Sequence, residues 1–191
     1  MLYSFLTSLV DTFSFLNVFK YITFRIGLSV VTSLTIIFLI GNPLIKYFSK
    51  KQITGPIRQD GPIDHIVKKS GTPTMGGLMI LIGIILSTIM WADLENVYIW
   101  IVLFVCLSLG LLGFLDDYLK IKFKNSTGIN AKLKFLGQLL ISLVAILSLM
   151  YFTEHQIISN LYFPFFKNLV LHLGIFFIPF GIFVIIGSSN A

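Results

Sequence analysis

Residues 98–117 read YIWIVLFVCLSLGLLGFLDD, and the fold class follows most directly from this segment. Its first eighteen residues carry no charge, and two aspartates follow them directly. About 20 predominantly apolar residues are enough for a helix to cross the hydrocarbon core of a bilayer. The stretch therefore predicts a membrane-spanning helix that ends on an acidic pair.

The composition of the whole chain points the same way. Of its 191 residues, 56% are hydrophobic and only 12% are charged, whereas a soluble domain carries about 25% charged residues. The net charge is +6, but the basic residues flank apolar runs, which favours membrane orientation and anionic ligands over nucleic acid. Cys106 is the single cysteine, so an intrachain disulfide is excluded.

Five apolar runs are long enough to span a bilayer as helices. We expect an all-α integral membrane protein, because spanning backbone must satisfy its hydrogen bonds internally and no run alternates with period two. Residues 1–22 predict an interfacial helix instead of a signal peptide, since they lack a basic start. Pro179 should kink the last span. The predicted spans are residues 24–45, 73–91, 98–115, 135–152 and 169–190.

The basic residues predict the orientation of this single membrane domain, which covers residues 1–191. Loops 46–72 and 116–134 hold eleven of the fourteen lysines and arginines. Positively charged loops stay on the cytoplasmic side. We therefore expect both loops and the C-terminus to be cytoplasmic and the N-terminus to lie outside.

The acidic pair Asp116-Asp117 is the sharpest candidate for chemistry. A solvated helix end is the plain interpretation, although acids at a helix C-terminus oppose the macrodipole. A carboxylate pair at a membrane surface can instead hold Mg²⁺ with waters and a ligand phosphate. One member could also act as a base. The pair by itself leaves these alternatives open.

A second candidate, SGTPTMGG at residues 70–77, opens the second span. Thr72 can cap the helix, and Pro73 suits its first position. A helix N-terminus attracts anions, and Lys68 and Lys69 precede it directly. An ordinary capped transmembrane helix explains the pattern equally well.

A third candidate is the run GSSNA at residues 187–191, where Asn190 offers both donors and an acceptor. Alone it indicates only the start of a loop. The predicted topology, however, puts all three candidates on the cytoplasmic face. Carboxylates, lysines, a helix N-terminus and an amide together suit phosphoryl transfer, which depends on positioning and charge neutralisation.

These motifs carry a family resemblance over essentially the whole chain. GTPTMGG at 71–77, GFLDDYLK at 113–120 and GSSNA at 187–191 resemble the phospho-N-acetylmuramoyl-pentapeptide-transferase (translocase I, or MraY) family. FKYITFR at 19–25 and PFFK at 164–167 also fit. The wider superfamily of polyprenyl-phosphate sugar-1-phosphate transferases keeps the Asp-Asp pair but usually varies the first run.

The resemblance implies a reaction and its partners. Members transfer phospho-N-acetylmuramoyl-pentapeptide from its UDP carrier to undecaprenyl phosphate, giving lipid I and UMP for peptidoglycan synthesis. They need Mg²⁺ and work at the cytoplasmic face of the bacterial inner membrane among its lipids, often as homodimers. Nucleic acid is not among the implied partners.

The resemblance also implies residue roles. Asp116 would deprotonate or position the lipid phosphate, and Asp117 would be its acidic partner near the metal and the diphosphate. Two lysines compete for the phosphate contact before the Thr-Pro-Thr run, and we favour the second. The implied substrate or phosphate ligands are Lys69, Lys68, Thr72, Thr74, Gly76, Lys120, Lys132 and Asn190. The last two lysines of this set could instead be positive-inside markers.

The length departs from the family pattern. Members are about twice as long and have ten spans, and their Ser-Asn-Ala run continues into further aspartates that include the firmest metal ligand. This chain stops at Ala191. We therefore expect a truncated, N-terminal half of a ten-helix fold that is inactive without its C-terminal half.

Three other functions remain as hypotheses. The nearest is a sister transferase that uses a UDP-N-acetylhexosamine. A transporter or channel would place polar groups near the bilayer midplane, where these spans are apolar. A non-catalytic membrane scaffold would not need the acidic pair.

Overall fold

A computed structural model describes residues 2–50, 76–123, 128–153, 160–163 and 166–190. The chain opens with a short helix α1 (Leu2–Ser8) and a 3-10 helix (Ser14–Lys20). The long apolar helices and the helix that ends the described part then follow. They are α2 (Ile22–Lys50), α3 (Gly76–Trp91), α4 (Val97–Phe123), α5 (Ala131–Phe152) and α6 (Phe177–Asn190).

The predicted helical membrane architecture is confirmed. In the described part of the chain, α2, α4 and α5 are each long and apolar enough to cross a bilayer. The mean hydropathy of their most apolar windows is 2.0, 2.5 and 2.1. Large apolar side chains such as Phe38 and Leu39 on α2 are more than two-thirds exposed, as expected for surfaces that face lipid tails or further protein.

The last predicted span begins later than the sequence suggested. An antiparallel hairpin of β1 (Asn160–Phe163) and β2 (Phe166–His172) occupies residues that include the start of the predicted span at 169. Residues 160–172 include three phenylalanines, one tyrosine and one valine, and such residues favour strands. Helix α6 starts only at Phe177, after a 3-10 turn at Gly174–Phe176.

Pro179, the residue expected to kink the last span, lies at a different place in its helix than the sequence suggested. Pro179 is the third residue of α6, where its missing N–H would have had no partner within the helix. The proline therefore fits the first turn of this short helix, and the kink stays a prediction. The apolar pattern of the sequence did not distinguish a strand followed by a short helix from one long helix.

Chain contacts divide the molecule into two compact units. The first comprises residues 1–99 and 110–129, and the second comprises residues 100–109 and 130–191. In the first unit, α2 packs against α3 through small residues. A Cβ atom on Gly83 would lie 3.0 Å from Ile37 and 3.1 Å from the Ser33 hydroxyl. Close approach at a small residue is the usual means of helix association in membranes.

The N-terminal segment caps one end of this first unit. Phe19 of the 3-10 helix stacks on Trp91 at the end of α3, with ring centroids 5.8 Å apart and planes 5° from parallel. Leu16 of the same 3-10 helix is buried. The segment predicted as one interfacial helix is therefore two short helical pieces, and its position at a membrane surface stays a prediction.

In the second unit, α5 packs against α6. Ser142, Ala145 and Ile146 on α5 are almost completely buried. Gly181 of α6 lies so close to Ile146 that a Cβ atom there would collide with its side chain. This tight crossing fixes the position of the polar C-terminal end of α6 relative to α5.

Candidate functional site

Asp116 lies within α4, about two turns before the helix ends at Phe123. The acidic pair is therefore part of a continuing helix and does not close it. Only 8% of Asp116 is exposed, and a buried carboxylate is costly unless charged or polar groups compensate it. The surroundings of Asp116 supply such groups.

Two donors from different parts of the chain reach the Asp116 carboxylate. The Lys120 ammonium donates to Oδ2 at 2.6 Å from one helical turn further along. The backbone N–H of Ile129, which follows α4, donates to Oδ1 at 2.8 Å. Both carboxylate oxygens are therefore engaged, so the side chain is fixed in one orientation.

The Ile129 contact depends on a glycine. Gly128 has a φ of 57°, a conformation that side-chain-bearing residues rarely adopt. A Cβ atom at this position would collide with the Asp116 carboxylate. Glycine therefore lets the backbone turn back onto α4. Asn130, which follows Ile129, then caps α5 by accepting from the Lys132 N–H at 3.1 Å.

Asp117 has different surroundings from its neighbour. Its side chain is 41% exposed, against 11% for Asp116. The Lys120 ammonium lies 3.7 Å from its Oδ1, a looser ion pair than the one with Asp116. Successive helical residues point about 100° apart, so one carboxylate is held by the protein and the other is available to a ligand.

Asn190, at the end of α6, belongs to a polar cluster in the second unit. Its side-chain amide exchanges two hydrogen bonds with that of Gln138 on α5, at 2.9 and 3.1 Å. Gln138 also donates to the Ser189 hydroxyl at 3.2 Å. Gln138 is only 3% exposed, so this reciprocal pair fixes the orientation of the Asn190 amide.

The remaining predicted ligands are only partly described. Lys68, Lys69, Thr72 and Thr74 lie outside the described residues. Gly76 is the exposed first residue of α3, with open space around the position of a Cβ atom. Lys132 is exposed in the first turn of α5.

Three residues that position the candidate side chains were not predicted from the sequence. They are Gly128 and Ile129, which hold Asp116, and Gln138, which holds Asn190. Gln138 gave a usable signal, because a glutamine in the apolar span 135–152 needs a hydrogen-bonding partner. Gly128 and Ile129 gave a weaker one, since a single glycine after a helix is compatible with many turns.

The described residues fit a magnesium ion in part. Among them, no group of three or more histidine, cysteine, aspartate or glutamate side chains could hold a metal. Mg²⁺ usually takes one or two carboxylates and completes its shell with waters and substrate phosphates. The exposed Asp117 fits such a ligand, whereas the oxygens of Asp116 already accept from Lys120 and Ile129.

Comparison with known proteins adds independent information. Residues 69–81 match signature 1 of phospho-N-acetylmuramoyl-pentapeptide-transferase, and residues 98–191 match the family model of glycosyl transferase family 4. Over its full length, the chain is 57% identical to the phospho-N-acetylmuramoyl-pentapeptide-transferase of Pelagibacter ubique. It is 47% identical to that of Thermodesulfovibrio yellowstonii and 42% identical to that of Maricaulis maris.

This chain matches the N-terminal half of the phospho-N-acetylmuramoyl-pentapeptide-transferase family. The resemblance predicted from the three motifs is thereby confirmed. The chain spans about half the length of these relatives, 53% or 54% in each case. The signature at 69–81 contains Lys69, Thr72, Thr74 and Gly76, and the second match contains Asp116, Asp117 and Asn190. The phospho-N-acetylmuramoyl-pentapeptide-transferase likeness thus includes candidate residues both inside and outside the described part of the chain.

Proposed function

We propose that this chain carries the acidic pair of a phospho-N-acetylmuramoyl-pentapeptide-transferase. The reaction would move phospho-N-acetylmuramoyl-pentapeptide from its UDP carrier to undecaprenyl phosphate, giving lipid I and UMP for peptidoglycan synthesis. The observation that carries the proposal is the fixed, buried Asp116 beside the accessible Asp117, in a chain that is 57% identical to a protein of that name.

Asp116 would act on the lipid phosphate. An oxygen of undecaprenyl phosphate forms the new bond to the sugar-linked phosphorus, and the bond from that phosphorus to the UMP oxygen breaks. Asp116 would accept the proton of a protonated lipid phosphate, or orient an oxygen that is already deprotonated. Its fixed orientation supports this role, because positioning supplies much of the catalysis in phosphoryl transfer.

Asp117 would bind the magnesium cofactor. Magnesium, when bound, would neutralise charge that develops on the diphosphate during transfer. Asp117 would contribute one carboxylate ligand from its exposed position, while Lys120 stays within 4 Å of both aspartates and balances their charge. The exposed fraction of Asp117 supports this division of roles.

The other implied ligands remain part of the proposal. Lys69, Lys68, Thr72, Thr74 and Gly76 would contact phosphate or nucleotide at the start of α3. Asn190 would present its amide to the nucleotide, and the hydrogen bonds from Gln138 would hold that amide in place. Lys132 would contribute positive charge from the first turn of α5.

We also place this function at the cytoplasmic face of the bacterial inner membrane. Three long apolar helices support insertion in a membrane, and the basic loops at 46–72 and 116–134 support a cytoplasmic position for Asp116. The full site would include a C-terminal half, as in the longer relatives, and the enzyme would act as a homodimer.

A chimera tests the catalytic assignment. The matched residues of the Pelagibacter ubique relative are replaced by this chain, and UMP release is measured with UDP-linked substrate, undecaprenyl phosphate and Mg²⁺. We expect Asp116→Asn to lower turnover by about 10²–10⁴-fold, the contribution typical of a positioned acid or base. The amide keeps the shape of the side chain but cannot accept a proton.

Asp11→Asn is the matched control, because Asp11 is an exposed aspartate outside the proposed site. It should leave turnover unchanged. If Asp116→Asn and Asp11→Asn chimeras fold equally well and turn over at the same rate, the catalytic role of Asp116 is wrong.

A further inference from the structure

The first unit contains a cavity of about 290 Å³ that none of the candidate catalytic residues lines. Its walls come from the start of α2, the end of α3 and the segment that leads into α4. Counted along α4, Asp116 is 17 residues beyond the lining residue Ile99, or about 25 Å along the helix axis at 1.5 Å per residue. Among the residues that line the cavity, Arg25, Trp91, Asp93 and Asn96 carry polar side-chain atoms, and Ile22 and Ile26 are apolar.

Arg25 places a permanent positive charge in this cavity wall. Its guanidinium lies over the Tyr3 ring, 4.1 Å from the centroid. Within the described ranges, both salt bridges involve Lys120, and the Arg25 Nε atom is buried without a hydrogen-bond partner. Arginine within a membrane-spanning segment is costly and normally marks a partner or a ligand.

The indole N–H of Trp91 is a second buried donor without a hydrogen-bond acceptor in the described part of the chain. The side chain is 9% exposed, and its indole nitrogen is buried without a partner among the described residues. Both donors belong to residues that line the same cavity. An occupant rich in acceptor oxygens would relieve the cost of leaving them unpaired, which reaches several kcal/mol per group in a membrane.

Asp93 gives the cavity an opposite charge on another part of its wall. It lines the cavity with Arg25 but forms no salt bridge with it in the described structure. A separated cation and anion around one cavity suit a ligand that carries both charges. A simple anion would satisfy the arginine and would be repelled by the aspartate.

The position of the cavity indicates that the ligand is a membrane lipid. Long apolar helices begin and end around it, and Tyr21, Tyr98 and Trp100 nearby in sequence are exposed. Exposed tyrosine and tryptophan at the ends of membrane helices are typical of the headgroup level of a bilayer. Ile22, Ile26 and Ile99 give the cavity apolar walls on which the start of an acyl chain could lie.

We propose that this cavity binds the headgroup of a phosphoethanolamine lipid. The phosphate accepts hydrogen bonds from Arg25 and Trp91. The primary ammonium donates a charge-assisted hydrogen bond to Asp93, which the quaternary ammonium of phosphatidylcholine cannot do. The site is separate from the proposed transferase chemistry, and its test does not depend on catalysis.

Tryptophan fluorescence gives a direct binding measurement. The chain has two tryptophans, so a Trp100→Phe background leaves Trp91 as the only indole emitter. This variant is reconstituted in phosphatidylcholine vesicles that contain increasing fractions of phosphatidylethanolamine with brominated acyl chains. We expect saturable quenching of Trp91, and Arg25→Gln should raise the half-saturating fraction at least about tenfold, the loss of one charge-assisted hydrogen bond.

A second lipid separates the charges of the headgroup. Asp93→Asn should weaken quenching by phosphatidylethanolamine and leave quenching by brominated phosphatidylglycerol, which lacks an ammonium, unchanged or stronger. Inorganic phosphate added to the chain in detergent should not alter Trp91 emission. A response to inorganic phosphate, or equal effects of Asp93→Asn on both lipids, would overturn the assignment of a zwitterionic lipid.

Lys20→Gln is the matched control. Lys20 is an exposed cation close to Arg25 in sequence, and it does not line the cavity. It should leave the quenching curve unchanged. Equal curves for the unsubstituted background, Arg25→Gln and Lys20→Gln, with helix content retained by circular dichroism, would show that the cavity binds no headgroup.

Discussion

Asp116 and Arg25 are both ionisable residues at least partly buried in the first unit, yet the protein treats them differently. Asp116 receives an ammonium and a backbone N–H from its own chain. Arg25 has an aromatic ring beside it and a buried Nε without a partner in the described part. One charge is compensated within the fold, and the other is left for a component from outside it.

This difference separates two ways in which a membrane protein can use a buried charge. A carboxylate with fixed donors keeps one geometry before substrate arrives, as catalysis requires. A guanidinium without a counter-charge gains most from a bound anion, as ligand binding requires. The comparison therefore predicts opposite responses when each charge is perturbed.

The largest effect on stability should follow from removing the cation beside Asp116. Lys120→Met leaves a carboxylate that is 11% exposed without its ammonium. Breaking a fully buried ion pair costs about 3–5 kcal/mol, and the 30% exposure of Lys120 lowers our expectation to about 2–3 kcal/mol. Titration with a denaturing detergent in mixed micelles measures the free energy of unfolding.

Lys122→Met is the control for that substitution, since Lys122 lies exposed on the same helix. It should change the free energy of unfolding by no more than about 0.5 kcal/mol, as is usual at surface positions. Similar losses for Lys120→Met and Lys122→Met would mean that the compensation of Asp116 contributes nothing to stability.

A smaller effect is expected from the backbone turn that holds Asp116. Gly128→Ala forces alanine to a φ of 57° and puts a methyl group against the carboxylate. The conformation alone costs about 1–2 kcal/mol, and the displaced carboxylate should also lower UMP release by the chimera. Both the free energy of unfolding and turnover should therefore fall.

Gly113→Ala provides the comparison, because Gly113 is helical and no atom lies within 4 Å of a Cβ atom there. Alanine is a better helix former by about 1 kcal/mol, so this control should be neutral or stabilising. A Gly128→Ala chimera that is as stable and active as Gly113→Ala would disprove the positioning role of the turn.

How far the sequence alone could lead is clear from these same residues. The apolar runs and Asp116-Asp117 could be recognised because membrane helices and charged pairs leave strong local patterns. The unequal exposure of the two aspartates could not be recognised from the sequence, since it depends on the backbone N–H of Ile129, 13 residues from Asp116. Long-range contacts of this kind leave no local periodicity.

The C-terminal span shows that the secondary structure also could not be predicted fully from the sequence. Residues 169–187 are apolar apart from His172, and hydropathy reports burial or lipid contact without separating strand from helix. The strand register, in which Asn160 pairs with His172, is set by residues twelve positions apart in sequence. Arg25 could be recognised as a charge near a span end, but its cavity required the arrangement of three chain segments.

The smallest expected effect, and the sharpest contrast with Lys120→Met, comes from neutralising Arg25. In lipid-free detergent, Arg25→Gln removes a charge that has no carboxylate partner in the described structure. The lost interaction with Tyr3 is worth about 0.5–1 kcal/mol, and relief of the uncompensated charge offsets it. The free energy of unfolding should therefore change by less than about 1 kcal/mol in either direction.

Added phosphatidylethanolamine should then give the unsubstituted chain and Arg25→Gln different free energies of unfolding. A ligand that binds the folded state stabilises it by mass action, which reaches about 2.7 kcal/mol at a hundredfold excess over the dissociation constant. The unsubstituted chain should gain stability from the lipid, whereas Arg25→Gln should gain little. If Arg25→Gln loses several kcal/mol in the absence of lipid, then the fold already compensates this guanidinium, and the contrast with Asp116 does not hold.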